Sequence, residues 1–212
     1  MKKGISLLII LTVTTFFLVS LFNVSARADD WNLTGDIAVH DPCLIKSDNM
    51  YWIFFTMKGC GVKYSDDLEH WNAGEPVFAN DLSWWSNYTN GTDGEVWAPD
   101  IFFNNGRYWL YYSVSEWGTK RSLIGLYSCS SILDGDWRDD GLVISSNNSS
   151  DYNAIDPGIT MDTDGNLWMT FGSFASGIKL VKLNKSTMKP ASNAKIYDIA
   201  ARPYSNNAIE GA

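Results

Sequence analysis

The chain has 212 residues, of which 45% are hydrophobic, 14% aromatic and 19% charged, with a formal net charge of −8. This composition excludes a disordered, collagen-like or coiled-coil polypeptide, and the acidic balance excludes nucleic acid as a partner, because phosphates require a basic footprint. The 10 tryptophans are a heavy load of flat rings, which either fill a core or stack on a ligand, so a small neutral ligand stays open.

Residues 1–28 read as a secretory signal peptide. Lys2 and Lys3 form a basic start, an apolar run from Ile5 to Phe22 is broken only by Ser and Thr, and the small-x-small site Ala26-Arg27-Ala28 precedes Asp29-Asp30. Export to the extracellular space or the periplasm is therefore expected, with no membrane association after cleavage. An uncleaved anchor is the alternative, since the run is just long enough to span a bilayer. Three cysteines follow, Cys43, Cys60 and Cys129. An odd count predicts at least one free thiol or an intermolecular bridge, and Cys43 with Cys60 is the most local pairing. With no C-x-x-C and only 2 His, no dedicated metal cage is expected.

From Ile37 onward the chain repeats itself. The first unit reads DPCLIKSDNMYWIFFT and then GVKYSDDLEHW. The second reads APDIFFNNGRYWLYYSVS and then LIGLYSCSSILDGDW, and the third IDPGITMDTDGNLWMTFGSF and then GIKLVKLN. Each pairs an opening proline with a turn of Asn, Asp or Gly, an aromatic strand and a later amphipathic strand, the pattern of β-hairpins. No stretch sustains a 3.6-residue apolar period, so the chain is predicted to be all-β. Asp41, Ala98 and Asp156 precede Pro42, Pro99 and Pro157, and Ala208-Ile209-Glu210 mimics Ala154-Ile155-Asp156. The intervals are 57, 58 and 54 residues. A period of this size with about four strands per unit is that of a β-propeller, one unit per blade; a β-sandwich with accidental similarity is the alternative. Residues 29–212 are expected to form a partial propeller of about three blades plus the first strand of a fourth, truncated at its C-terminal end, because a strand opening at Glu210 has only two residues after it.

In a propeller the first strand of each blade lines the axis, so Asp41, Asp156 and Glu210 are predicted to face one another although far apart in sequence. Asp100, two residues after Ala98, shares its side-chain parity. Clustered carboxylates raise one another's pKa, and that split of protonation states is what glycoside hydrolysis uses: one acid for the leaving oxygen and one base for the water. Trp84, Trp85, Trp97 and Trp117 are placed in loops or at strand starts, where they are candidates to stack on sugar rings. Trp52, Trp109 and Trp168 are expected to pack within blades, and Trp71 and Trp137 between them. His40 either assists Asp41 or satisfies a backbone group.

These residues resemble glycoside hydrolase family 43, and within it the arabinanases. The motifs that carry the resemblance are His40-Asp41-Pro42, Trp97-Ala98-Pro99-Asp100, Tyr111 to Ser115, Asn153 to Pro157, Phe171-Gly172-Ser173-Phe174 and Asn207 to Gly211. It implies a five-bladed β-propeller and an inverting mechanism, with Asp41 as general base, Glu210 as general acid and Asp156 as the carboxylate that tunes the acid and orients the sugar. Inversion implies base and acid carboxyls roughly 6.5–9.5 Å apart. Trp97, Trp117, Asn153, Ser173 and Phe174 match substrate-cleft positions, Trp117 by type only. The implied substrate is arabinan or its oligosaccharides, cut at internal α-1,5 links by a monomer. An exo-acting α-L-arabinofuranosidase, a β-xylosidase or a non-catalytic sugar-binding propeller fragment are the alternatives. Two departures stand out: Ala175 where relatives often carry an aromatic, which opens one cleft wall, and Gly211-Ala212 after the acid in place of Ala-Pro. No cofactor is required by these residues. The calcium ion that many relatives hold near the axis through a histidine of the last blade falls beyond Ala212.

Overall fold

The computed structural model describes residues 32–90, 93–204 and 206–212; the expected signal peptide, residues 1–28, lies outside them. Among the described residues no helix is long and apolar enough to cross a membrane, and regular structure is almost entirely strand. The first sheet contains β1 (Thr34–Gly35), β2 (Cys43–Ser47) and β3 (Met50–Phe55), while β4 (Met57–Lys58) leaves to join the second. β5 (Gly61–Ser65) and β6 (His70–Gly74) complete it in the order β1-β6-β5-β3-β2. The second holds β7 (Glu95–Asn104), β8 (Arg107–Ser115), β9 (Ser122–Cys129) and β10 (Arg138–Ser146) in sequential order beside β4. The third holds β11 (Gly158–Met161), β12 (Leu167–Phe171), β13 (Ile178–Leu183) and β14 (Ile196–Ala200), also sequential.

Each sheet thus contains a four-stranded antiparallel meander, one per repeat, as the sequence predicts; the first adds β1, parallel to β6, and the second adds β4 beside β7. The turns explain the register. Asp48 and Asn49 take φ of 51° and 67° between Ser47 and Met50, and Asn105-Gly106 take 52° and 72° between Asn104 and Arg107. Both are two-residue turns with two left-handed residues, whose twist matches that of the flanking strands. In the third unit the Asp162 carboxylate closes a longer turn by accepting from Asn166 N at 2.7 Å and Trp168 Nε1 at 2.9 Å.

β7 lies against β2 and β3 on one side and β11 on the other, so the proline-bearing first strands are brought together rather than stacked as two faces of a sandwich. Among the described residues the sheets do not close a ring. One core cluster joins the first two sheets through Phe54, Val62, Leu110 and Tyr112, and another joins the second and third through Tyr111, Leu126, Met169 and Phe171. Trp52 and Trp109 are buried in blade packing as expected, and Trp137 meets Phe54 edge-on at 5.8 Å across the first seam. Trp71 is buried, with its Nε1 donating to Leu68 O in its own unit. Trp168 departs from expectation: it is half-buried, its Nε1 is held by Asp162, and Lys182 lies over its ring at 5.7 Å.

Three further differences are instructive. Trp84 and Trp85, read as sugar-stacking candidates, sit in a 3-10 helix, Ser83–Asn87. Trp85 is 4% exposed and donates to Tyr112 Oη at 3.2 Å, while Trp84 Nε1 donates to Asp139; an adjacent pair with both ring nitrogens satisfied by protein groups is packing. The expected first strand of a fourth blade is not formed over residues 206–212, where Ile209 O accepts from the loop amide of Phe174. Cys43, Cys60 and Cys129 are all free, so the local pairing is not made, and burial pushes the Cys60 and Cys129 thiols up to about 12.

Glycines set the closest approach within the first two sheets. Gly61 and Gly125 stand opposite Phe55 and Tyr112, and a Cβ at Gly125 meets the Tyr112 ring at 2.2 Å. Gly125→Ala is expected to cost about 1–3 kcal/mol by overpacking a fully buried ring, read as a lower urea midpoint at unchanged m-value.

Candidate active site

The site is built on an unusual backbone state. Asp41, Ala98 and Asp156, the residues before the repeated prolines, all have positive φ, at 46°, 37° and 57°. Left-handed conformations cost a non-glycine residue on the order of 1 kcal/mol or more and need surrounding structure to hold them. Here the holding groups are hydroxyls of the preceding unit. Ala98 N donates to Thr56 Oγ1 at 2.7 Å, and Asp156 N to Ser113 Oγ at 3.0 Å. Thr56 and Ser113 are equivalent in the repeat, each following five residues of an aromatic strand (YWIFF and YWLYY). The third unit places Gly172 there, and its amide bonds Ile155 O at 2.8 Å just as the Thr56 amide bonds His40 O at 2.8 Å.

This kink carries Asp41 and Asp156 into one open cavity of about 1790 Å³, which Glu210 also lines. Asp41 Oδ2 accepts from Thr56 Oγ1 at 2.8 Å and lies 3.2 Å from His40 Nε2, so His40 does touch the acid beside it. Glu210 Oε2 accepts from Ser173 Oγ at 3.1 Å, and Gly211 N donates to Asp156 Oδ2 at 3.1 Å. Burial pushes the Asp156 carboxyl up to about 6, with the Glu210 and Asp41 carboxylates adding to the shift and the Gly211 N–H opposing it.

The five expected cleft residues all line the same cavity. Trp117 is 88% exposed and meets Trp97 edge-on at 6.0 Å, and the Trp97 Nε1 donates to Glu95 Oε2 at 3.2 Å. Asn153 Oδ1 accepts from Ser122 Oγ at 2.6 Å. Ser173 is buried and reaches Glu210 rather than offering its hydroxyl to open solvent, and Phe174 is half-exposed with a φ of 50°. Ala175 lies at the cavity wall.

Two lining residues escaped the sequence reading of the site. Thr56 gave no motif of its own; only its alignment with Ser113 marks it. Asp100, marked in the sequence by parity and by the Trp97-to-Asp100 motif but given no role there, ties β7 to β11 through its carboxylate, with Oδ2 accepting from Ile159 N at 2.6 Å and Oδ1 from Ile101 N at 3.0 Å. Burial pushes it up to about 6 as well. Among the described residues no group of three or more His, Cys, Asp or Glu is arranged to hold a metal ion.

Comparison with known proteins agrees with this geometry. The profile of glycosyl hydrolases family 43 matches residues 27–212. The chain is 48% identical over 189 residues to the extracellular endo-α-(1→5)-L-arabinanase 1 of Bacillus subtilis (strain 168), covering 87% of this chain and 58% of that protein. It is 37% identical to the extracellular exo-α-(1→5)-L-arabinofuranosidase ArbA of Cellvibrio japonicus (strain Ueda107), covering 77% and 49%. The solved endo-arabinanase from Bacillus licheniformis superposes with a TM-score of 0.81 at 48% identity, covering 85% of this chain and 62% of that one. The chain thus spans about half to three fifths of the length of these relatives.

The raised carboxyls make stability depend on pH in a definite sense. Between the ordinary carboxyl value of 3.8 and about 6, folded Asp156 keeps a proton that the unfolded chain releases, so its contribution to stability falls as pH rises through that window. Asp156→Asn removes the titration. The stability of the wild type relative to this variant is expected to decline from about pH 4 to about pH 6 and to be level above it, as measured by urea unfolding at each pH.

Proposed function

The chain belongs to glycosyl hydrolases family 43, and we propose that the protein it represents is an inverting glycosidase that cuts internal α-1,5 links between L-arabinofuranosyl units of arabinan. The observation that supports this reading best is the convergence of Asp41, Asp156 and Glu210 on one open cavity with exposed aromatic rings at its wall. Water, held by Asp41, attacks the anomeric carbon as its proton passes to the Asp41 carboxylate. Glu210 gives its proton to the glycosidic oxygen, the C–O bond breaks, and the product leaves with inverted configuration. The water must fit between base and acid, which calls for roughly 6.5–9.5 Å between their carboxyls. Asp156, joined to the Glu210 segment through Gly211 N, is the carboxylate that tunes the acid, and it orients the sugar.

Trp97, Trp117 and Phe174 offer ring faces to furanose C–H surfaces, and Asn153 and Ser173 supply polar contacts. An endo mode is favoured by the open cavity and by the 48% identity to an endo-acting relative; the exo-acting relative, at 37%, supports the second reading. A five-bladed ring accounts for the proportions, since three blades are three fifths of five and the chain covers 58% and 62% of two relatives. Residues 1–28 would export the protein, in keeping with relatives named extracellular.

In the intact enzyme, linear arabinan is expected to yield a ladder of oligomers, whereas a single small product from the chain end would establish the exo mode. Asp41→Asn and Glu210→Gln are each expected to lower kcat by roughly 10²–10⁴-fold; near wild-type turnover in either would overturn the assignment of roles. Trp117→Ala should raise KM with little change in kcat, the pattern of a contact made equally in ground and transition states.

A further inference from the structure

Thr56 follows β3, outside the motifs that carry the family resemblance, yet it touches residue pair 40–41 twice. Its amide donates to His40 O at 2.8 Å and its hydroxyl to Asp41 Oδ2 at 2.8 Å. The same hydroxyl accepts from Ala98 N at 2.7 Å, across the seam to the second unit. A hydroxyl has one proton and two lone pairs. With one lone pair taken by the Ala98 amide, that single proton is directed at the carboxylate, and the β-branched side chain has few rotamers by which to turn away. His40 Nε2 approaches the same oxygen at 3.2 Å. Among the described residues, then, the contacts to the Asp41 side chain fall on Oδ2, and Oδ1 is left for the water.

We propose that Thr56 is a positioning residue for the proton-accepting carboxylate: pinned by the Ala98 amide, its hydroxyl holds Asp41 Oδ2 and so presents Oδ1 to the attacking water. The inference rests on the reading of Asp41 as the base and adds to it which oxygen takes the proton and what sets that choice. Ser113 is the internal comparison. It makes the same clasp to the next unit, through Asp156 N at 3.0 Å, but the acid position of its own unit is Ala98, so its hydroxyl has no such carboxylate to aim. The clasp is common to both units and the acid contact belongs to Thr56 alone, which separates a blade-joining role from a chemical one.

The test compares Thr56→Val, which keeps shape but removes the hydroxyl, with Thr56→Ser, which restores it, in the intact enzyme acting on linear arabinan. Thr56→Val is expected to lower kcat on the order of 10–100-fold, as misplacement of a reacting group does, with KM within about twofold of wild type. Thr56→Ser should recover most of the lost kcat. In crystals of Thr56→Val the Asp41 carboxylate is expected in a different rotamer, and in crystals of Thr56→Ser in the native one. Thr56→Ala carries the same expectations should Thr56→Val not fold. Retained kcat in Thr56→Val, or a loss of kcat that Thr56→Ser does not repair, overturns the proposal. If wild-type enzyme does not cut arabinan, the substrate reading falls on its own account, and the rotamer comparison still decides the role of Thr56: a native Asp41 rotamer without the hydroxyl refutes it.

Discussion

The arrangement of this molecule depends on a single kind of contact, the hydrogen bond from the amide of a left-handed residue at the head of one unit to a hydroxyl at the end of the second strand of the unit before. Without a partner, an amide turned out of its ladder by a positive φ would be a buried donor left unsatisfied, which costs about 1–3 kcal/mol in addition to the strain of the backbone. Thr56 and Ser113 remove that cost for Ala98 and Asp156. In doing so they fix the distance between neighbouring sheets at the one place where the first strands approach each other. The proline that follows each of these residues offers no competing N–H and by itself favours extended backbone in the residue before it, so the kink is held by the hydroxyl contact.

The kink matters because a regular strand would send alternate side chains to opposite faces. Turning one residue into the left-handed region lifts its side chain out of that alternation and aims it along the seam between sheets. That is how Asp41 and Asp156, separated by many residues, reach the cavity that Glu210 also lines. Their proximity is costly for charge, and the structure deals with it by giving each acid a different set of donors. Asp41 has a hydroxyl and an imidazole on one oxygen, Glu210 has the Ser173 hydroxyl, and Asp156 has a backbone amide while burial drives its carboxyl upward. Equivalent repeat positions thus acquire unlike chemistry from neighbours that are not equivalent.

Much of this was legible in the sequence, and for identifiable reasons. The hairpins at Asp48-Asn49 and Asn105-Gly106 announce themselves because those residue types tolerate left-handed turns, and the proline spacing reveals the repeat because proline is restricted everywhere it occurs. The gathering of Asp41, Asp156 and Glu210 follows from that repeat alone. What escaped was decided by contacts across the fold. Trp84 and Trp85 look like exposed loop rings until Tyr112 and Asp139 take their ring nitrogens. Asp100 looks like a parity match until it is found bonded to the amide of Ile159, 59 positions away. The segment around Ile209 copies Asn153 to Pro157, which stands before β11 and is not itself a strand, and its carbonyl is bonded by the loop at Phe174.

The loop from Gly172 to Gly177 shows how the third unit departs from the other two. At the position of Thr56 and Ser113 it has Gly172, which offers no hydroxyl to the next unit. The hydroxyl appears one residue later, on Ser173, and reaches the side chain of Glu210 in place of the backbone amide at the head of its segment. The connection to the following unit is kept by Phe174 N and Ile209 O instead. Moving the hydroxyl by one residue therefore converts a backbone clasp into a contact on a carboxylate, and it does so at the residue read as the general acid. Thr56, which combines both contacts in one side chain, and the Gly172-Ser173 pair, which divides them, are two solutions to the same requirement: the seam must be held and an acid must be oriented at the same point of the fold.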